Sequence, residues 1–331
     1  MTIKEEPVPS LAISNSDMMS SFSYSPPMSR DTDRNDRNAT LMFTGPRTVL
    51  TLLSSATASL GNILPISSPH NRSSYSVQFY GPIVSCSDAD NITAGTIQGL
   101  LQQNMNTPRD GAVEVENAYY GFVAGFNQTG GRTAISQPRY QSYSNATNQL
   151  WMTFLRYSLA LNGTRIRNRM YQVCRLHNAS FDLQLEWNHG FQNVTADYEI
   201  LEEIPYPNDQ LGVGSKRTHH SYSAFFWSLT DQLVGRLGWL NDLDGQTIGR
   251  APQYGVIETA IQHTSVLGSS DLDSFFDFDV ERGLYRSDNE TTISGQRLQD
   301  KFMAGNRTLQ VLIEELSKNT TISLLHNTLL T

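Results

Sequence analysis

The chain is poor in cysteine, poor in charge and without any long apolar run, and each shortage excludes something. Charged residues make up only 17% of the 331 residues, and the formal net charge is −8. That balance excludes nucleic acid as a partner, since phosphates demand a basic face. It also excludes electrostatic docking on anionic lipid. No window approaches eighteen apolar residues, so nothing in the sequence reads as a membrane-spanning helix. The stretch Met1 to Arg37 has no basic segment followed by an apolar one, and so does not read as a signal peptide. No internal repeat is visible.

What is present first is enough chain to bury a sizeable core. The apolar fraction is 38% and the aromatic fraction 10%, the profile of a folded chain rather than a disordered one. With so little charge, solubility rests on Ser, Thr, Asn and Gln, as in many extracellular domains. Asn-x-Ser/Thr sequons occur at Asn38, Asn71, Asn91, Asn127, Asn145, Asn162, Asn178, Asn193, Asn289, Asn306 and Asn319, eleven of twenty-three asparagines. Ser and Thr make up about a fifth of the chain, so chance supplies roughly four or five. The excess points to N-glycosylation, which keeps a site on the surface and places the chain in the secretory lumen or beyond. A Ser/Thr/Asn-rich chain producing sequons for free is the plainer alternative.

Cys86 and Cys174 are the only cysteines. They are expected to form a disulfide closing a loop of nearly ninety residues, a stabilisation of roughly 4–5 kcal/mol in the chain-entropy model. Two buried free thiols are the alternative. Neither residue sits in a nucleophile motif, and His177, three residues beyond Cys174, falls on the opposite face of a strand.

Along the chain, residues 1–40 read as a disordered tail and 41–331 as one domain, β-rich over 70–205 and more helical over 218–331. The fold class expected is α+β, an antiparallel β-rich core with sandwich-like sheets and several flanking helices. A short helix is expected to end near Gly61. A strand carries Tyr75, Val77 and Phe79 on one face, with Cys86 beyond a Gly81-Pro82 break. A helix follows around Ile97 to Asn104, then strands over AYYGFVAGF and through Leu150, Met152 and Phe154. Phe181, Leu183, Leu185 and Trp187 share one face of a strand that turns at Asn188-His189-Gly190 and returns through Phe191 and Val194. Tyr222, Phe225, Phe226, Leu229, Leu233 and Leu237 form one helical stripe. The segment GWLNDLDGQTIGRAPQYG reads as a loop, Ile257 to Leu267 as a second helix, and about Leu298 to Leu316 as a third, with a continuation to Leu325.

Residues that carry chemistry are sparse, and no catalytic residue is assigned. His219-His220 is expected in a loop, and adjacent histidines point apart, against a metal site. Asp242, Asp244, Asp271, Asp273, Asp277 and Asp279 complete no calcium loop and read as solvated loop carboxylates. Glu202-Glu203 and Glu314-Glu315 offer pairs of the kind a glycosidase uses, yet any chain with 32 acidic residues supplies such pairs. Gly212-x-Gly214 lacks the rest of a dinucleotide fingerprint, so no cofactor is expected. No nucleophile elbow and no HExxH occur. Phe225, Phe226 and Trp227 read as core, while Trp239 and Tyr254 in flanking loops are candidates to line a carbohydrate site.

The stretch TGPRTVLTLLSSATASLGNILPISSPHNRSSYSVQFYGPIVSC resembles the start of the ectodomain in a broad family of uncharacterised integral membrane proteins of filamentous ascomycete fungi. CRLHNASFDLQLEWNHGFQNV is similar to that family's second cysteine strand. LQVLIEELSKNTTISLLHNTLL resembles its helix-plus-sequon ending before a transmembrane helix. The resemblance covers about Leu41 to Thr331 and carries no established activity. It implies a glycosylated extracellular or luminal domain, attached to the membrane through spans outside this chain, with cell-wall glycan or protein as partner. The absent spans then read as an excised ectodomain or a truncated gene model. A non-enzymatic binding or structural role is the leading expectation, and a secreted-type glycoside hydrolase with a carboxylate pair is the alternative.

Overall fold

Alternation of apolar and polar residues over 75–79 and 181–187 can bury only one side of a sheet, and these two segments lie in the long partners of an antiparallel ribbon. The computed structural model describes residues 24–25, 42–43, 45–46, 48–68, 70, 72–105, 113–124, 147–159, 161, 165–206, 216–242, 254–273, 275 and 300–326. Tyr24–Ser25 (β1) and Met42–Phe43 (β2) pair with each other; the remainder of the expected tail lies outside the described residues. The main sheet has seven antiparallel strands: Arg72–Asp88 (β3), Val113–Val123 (β4), Gln149–Leu159 (β5), Arg165–Asn188 (β6), Phe191–Glu203 (β7), Gly235–Asp242 (β8) and Tyr254–Thr259 (β9). The order runs β3-β6-β5-β4-β8-β9, with β7 also on β6. Among the described residues four longer helices accompany it: Thr48–Leu60 (α1), Asn91–Met105 (α2), Lys216–Thr230 (α3) and Leu309–Ser323 (α4). The architecture is α+β, an antiparallel β-rich core with flanking helices.

β6 organises the sheet because its 24 residues outrun every partner. One of its edges takes β3 along 172–188. The other takes β5 along 165–175 and then β7 along 177–188. At the seam between β5 and β7, Leu176 N–H donates to Asn148 O and Ile204 N–H to Leu176 O. The Asn148 carboxamide donates to Ile204 O and to Ser223 of α3. The sheet therefore divides without leaving these buried backbone groups unpaired.

Helices cover both sides. The main core joins α1, α3 and α4 to Phe79, Val84, Leu150, Met152, Phe154, Leu176, Phe181 and Leu183. A smaller cluster of Ile97, Leu101, Tyr120 and Phe122 lies under α2. Helix α3 is buried along 220–230 with serines and a histidine among its aromatics. Helix α1 stops where the sequence places its end, at Gly61, whose φ of +67° suits a residue without Cβ and whose N–H donates to Thr57 O. The chain then crosses the apolar face of the ribbon. Ile66 O accepts from Trp187 Nε1 and Ile66 N–H donates to Gln192, while Phe79 and Phe181 stack at 5.0 Å.

Several sequence expectations change. β3 runs unbroken through Gly81-Pro82, because Pro82 lies on an edge strand where its missing N–H removes no ladder bond. Gly81 is needed for close approach, since a Cβ there would stand 2.8 Å from Thr321 Cγ2. The stripe expected to run on to Leu237 ends with α3 at Thr230; Leu233 follows the helix and Leu237 belongs to β8. The described ends of the expected loop GWLNDLDGQTIGRAPQYG, residues 238–242 and 254–255, belong to β8 and β9, and its remainder lies outside the described residues. The expected helix at Ile257 to Leu267 is strand β9 followed by 3-10 turns at Ala260–His263 and Ser265–Gly268. The third helix is broken by Gly305 and Asn306, both at positive φ (58° and 62°), and restarts under Thr308, which caps α4.

Candidate functional site

The three-stranded ribbon β3-β6-β7 has two edges, and the fold treats them differently. The β3 edge is covered by α4 along residues 82–86. Gln310, Glu314, Ser317 and Thr321 follow each other at helical spacings of four, three and four, which puts them on one face. Gln310 donates to Cys86 O (2.8 Å) and Glu314 accepts Cys86 N–H (2.8 Å). Ser317 accepts Val84 N–H (2.8 Å) and Thr321 donates to Pro82 O (2.5 Å). A helix thus supplies, through side chains, the bonds that a further strand would have made to residues 82, 84 and 86.

That pattern also explains the disulfide. Because both backbone groups of Cys86 face α4, Cys86 and Cys174 form a non-hydrogen-bonded pair, the register that brings opposite side chains nearest. They are directly opposite in the ladder, 3.9 Å apart at Cα, buried and bonded, with 88 residues of separation. His177 lies on the other face, as the strand period requires.

The β7 edge is open: among the described residues β7 pairs with β6 alone, and no other backbone or side chain bonds its main chain. On one face of the ribbon the register aligns Glu186 with Asn193, Gln184 with Thr195, and Asp182 with Asp197. Glu199 continues the row, opposite Ser180. Gln78 donates to Asp182 (3.1 Å), whereas Glu186, Asp197 and Glu199 have no ion-pair partner among the described residues. The opposite face carries Val194, Ala196, Tyr198 and Ile200, the last two about 40% exposed (39% and 41%) at the open side. Tyr198 stacks on Phe181 at 5.6 Å, and burial followed by the nearby Glu314 raises its pKa. Leu201 is the extra residue of a bulge opposite Asn178 and Ala179. Phe191, where the expected hairpin returns, is 81% exposed beside the turn.

Five sequons fall on described residues, and six, at Asn38, Asn71, Asn127, Asn145, Asn162 and Asn289, lie outside them. Asn91 opens α2 and is exposed. Asn193 is exposed beside Thr195 on the polar face of β7. Asn306 is exposed but occupies the left-handed turn before α4, with Thr308 as its cap. Asn319 donates Nδ2 to Gly61 O, and its Thr321 is the residue on Pro82 O. Asn178 is half-buried and its Oδ1 accepts from Tyr222, whose pKa is raised by burial first and then by Glu202. Three of these five sequons therefore contain residues with folding roles.

The candidate carboxylates are dispersed. Asp271, expected in a solvated loop, is 1% exposed: it accepts from Arg156 Nε (2.5 Å) and Nη2 (3.2 Å) and from Leu309 N–H (2.9 Å), so it clips the start of α4 to β5. That hydrogen bond, above all, raises the Arg156 pKa. Asp273 pairs with Lys301, Glu315 with Arg307, and Glu203 at long range with Arg175. Asp242 ends β8, while Asp244, Asp277, Asp279, Gly212 and Gly214 lie outside the described residues. His219 and His220 are in helix α3 rather than a loop, and no metal-holding cluster occurs among the described residues. Trp239 and Tyr254 stand in paired strands, not in loops. Phe225, Phe226 and Trp227 are core, as expected. A cavity of about 180 Å³ lies between Leu60, Ser265, Met303, Arg307, Glu315 and Leu316.

The polar stripe of α4 was the signal that sequence reasoning missed. Gln310, Glu314, Ser317 and Thr321 share one face of the helix, and such a stripe must face water or a strand edge. Comparison of the chain with protein-family models, with curated proteins and with solved structures finds no match.

Proposed function

We propose that this chain is an N-glycosylated, disulfide-stapled domain on the extracellular or luminal side of a fungal membrane protein, with a binding or structural role rather than a catalytic one. The buried Cys86–Cys174 bond carries this reading, because structural disulfides persist in oxidising compartments. The exposed sequons Asn91 and Asn193 support it, as does the resemblance to ascomycete membrane proteins described above. The non-catalytic side of the reading is supported by what four of the candidate carboxylates do: Asp271, Asp273, Glu314 and Glu315 bond arginine, lysine or backbone groups that hold the fold together.

The test is expression through a eukaryotic secretory pathway, followed by glycopeptide mass spectrometry and thiol counting. Glycans at Asn91 and Asn193 and no free thiol are expected. An unmodified chain with two reactive thiols in its native host would overturn the location. Polysaccharide turnover abolished by one carboxylate substitution would overturn the non-catalytic role.

A further inference from the structure

We infer that the open edge of β7 is a docking site for an extended peptide segment that alternates basic with apolar residues and joins the sheet as an additional antiparallel strand. This names a partner for the binding role proposed above and rests on that reading. Strand addition requires an unpaired edge, and β7 offers one up to its bulge at Leu201. Natural edges are usually closed by a covering element, a proline or a lysine. β3 has its helix along 82–86, whereas β7, FQNVTADYEILEE, contains neither proline nor any basic residue, and its bulge comes only at Leu201.

The side chains specify what docks. An incoming strand places alternate residues beside Asp197 and Glu199 on one face, with Asp182 of β6 directly opposite Asp197. Lysine or arginine at those positions meets an unneutralised acidic row. The intervening residues fall beside Tyr198 and Ile200, whose uncovered sides face the vacant strand position, and apolar side chains there remove that surface from water. A second copy of this chain is disfavoured as the occupant, because β7 carries no basic residue to answer the acidic row of another β7.

The experiment uses the full glycosylated chain and synthetic ten-residue peptides alternating Lys with Val, measured by fluorescence anisotropy. Binding that weakens at least about tenfold when Lys is replaced by Glu is expected. N-methylation of alternate peptide amides should cost at least about tenfold in one of the two registers, since it removes several main-chain bonds. An Asp197→Lys/Glu199→Lys double variant, both sites exposed and the melting curve retained, should reverse the preference from Lys to Glu peptides. Equal binding of Lys and Glu peptides, or indifference to N-methylation in both registers, overturns the proposal. So does concentration-dependent self-association with β7–β7 cross-links. Glycan occupancy and thiol state are read separately, so failure here is distinguishable from failure of the location and role proposed above.

Discussion

The two edges of one ribbon differ in what continues them. Along β3, residues 82, 84 and 86 present donors and acceptors to helix α4, which answers them with Gln310, Glu314, Ser317 and Thr321. Along β7, the same kind of edge presents its groups to nothing among the described residues. The capped edge also holds the disulfide and is buried; the open edge bears acidic and half-covered aromatic side chains. The difference teaches that this fold has a way of closing an edge with side chains and applies it on one side only. Stability should concentrate on the capped side and tolerance on the other, and that contrast can be broken at specific residues.

The largest effect is expected at the inner end of the capped edge. Replacing both Cys86 and Cys174 by Ala removes the cross-link over 88 residues and should cost roughly 4–5 kcal/mol in the chain-entropy model. Urea unfolding of the double variant measures it, and a loss under about 1 kcal/mol would mean that α4 alone holds the edge. Next comes the helix stripe. Ser317→Ala leaves the N–H of buried Val84 without its acceptor, at a cost of about 1–3 kcal/mol. An unchanged urea midpoint would show that the strand finds another partner there, and the capping account would fall.

How much of this contrast was legible in the sequence depends on which period a segment follows. The alternation of Phe181, Leu183, Leu185 and Trp187 and the turn at Asn188-His189-Gly190 have only one reading, and the β6–β7 hairpin was read correctly from them. The cysteine pairing needed only a count of two. Tyr254–Thr259 failed because GVIETAI fits both a helical and a strand period, and pairing with β8 decides between them. The break at Gly305 and Asn306 was concealed inside a sequon: Asn306-Arg307-Thr308 reads as a glycan acceptor, yet it also supplies a left-handed residue and a helix cap. Asp271 looked like one of several loop carboxylates because its partners, Arg156 and Leu309, are 115 and 38 residues away. The open edge of β7 was invisible for a related reason, since only the sheet order shows which strand lacks a neighbour.

Beyond the capped edge, β3 runs into α2 through Asp90, whose carboxylate accepts Thr93 N–H at 2.7 Å. The backbone and side-chain bonds from Thr93 are the main reason its pKa is lowered. A lowered folded pKa contributes stability above the ordinary Asp value and loses it as pH falls through the folded one. The first turn of α2 should therefore hold through moderate acid and loosen only below the ordinary Asp range. The Thr93 amide shift in an NMR titration is the measure, and a midpoint at or above the ordinary value would contradict the cap.

The smallest effect is expected on β7, and its smallness is the point. Asp197 is exposed, lies directly opposite Asp182, and has no ion-pair partner among the described residues. Like charges facing each other across a ladder are mildly destabilising. Asp197→Ala should therefore change stability by no more than about 0.5 kcal/mol, with the sign toward stabilisation. Thermal unfolding of the variant beside Ser317→Ala compares the two edges under one protocol. A loss at Asp197 as large as that at Ser317 would mean that the acidic row is held in place by the fold. The edge would then be closed in the native chain, and the contrast between the two sides of the ribbon would disappear.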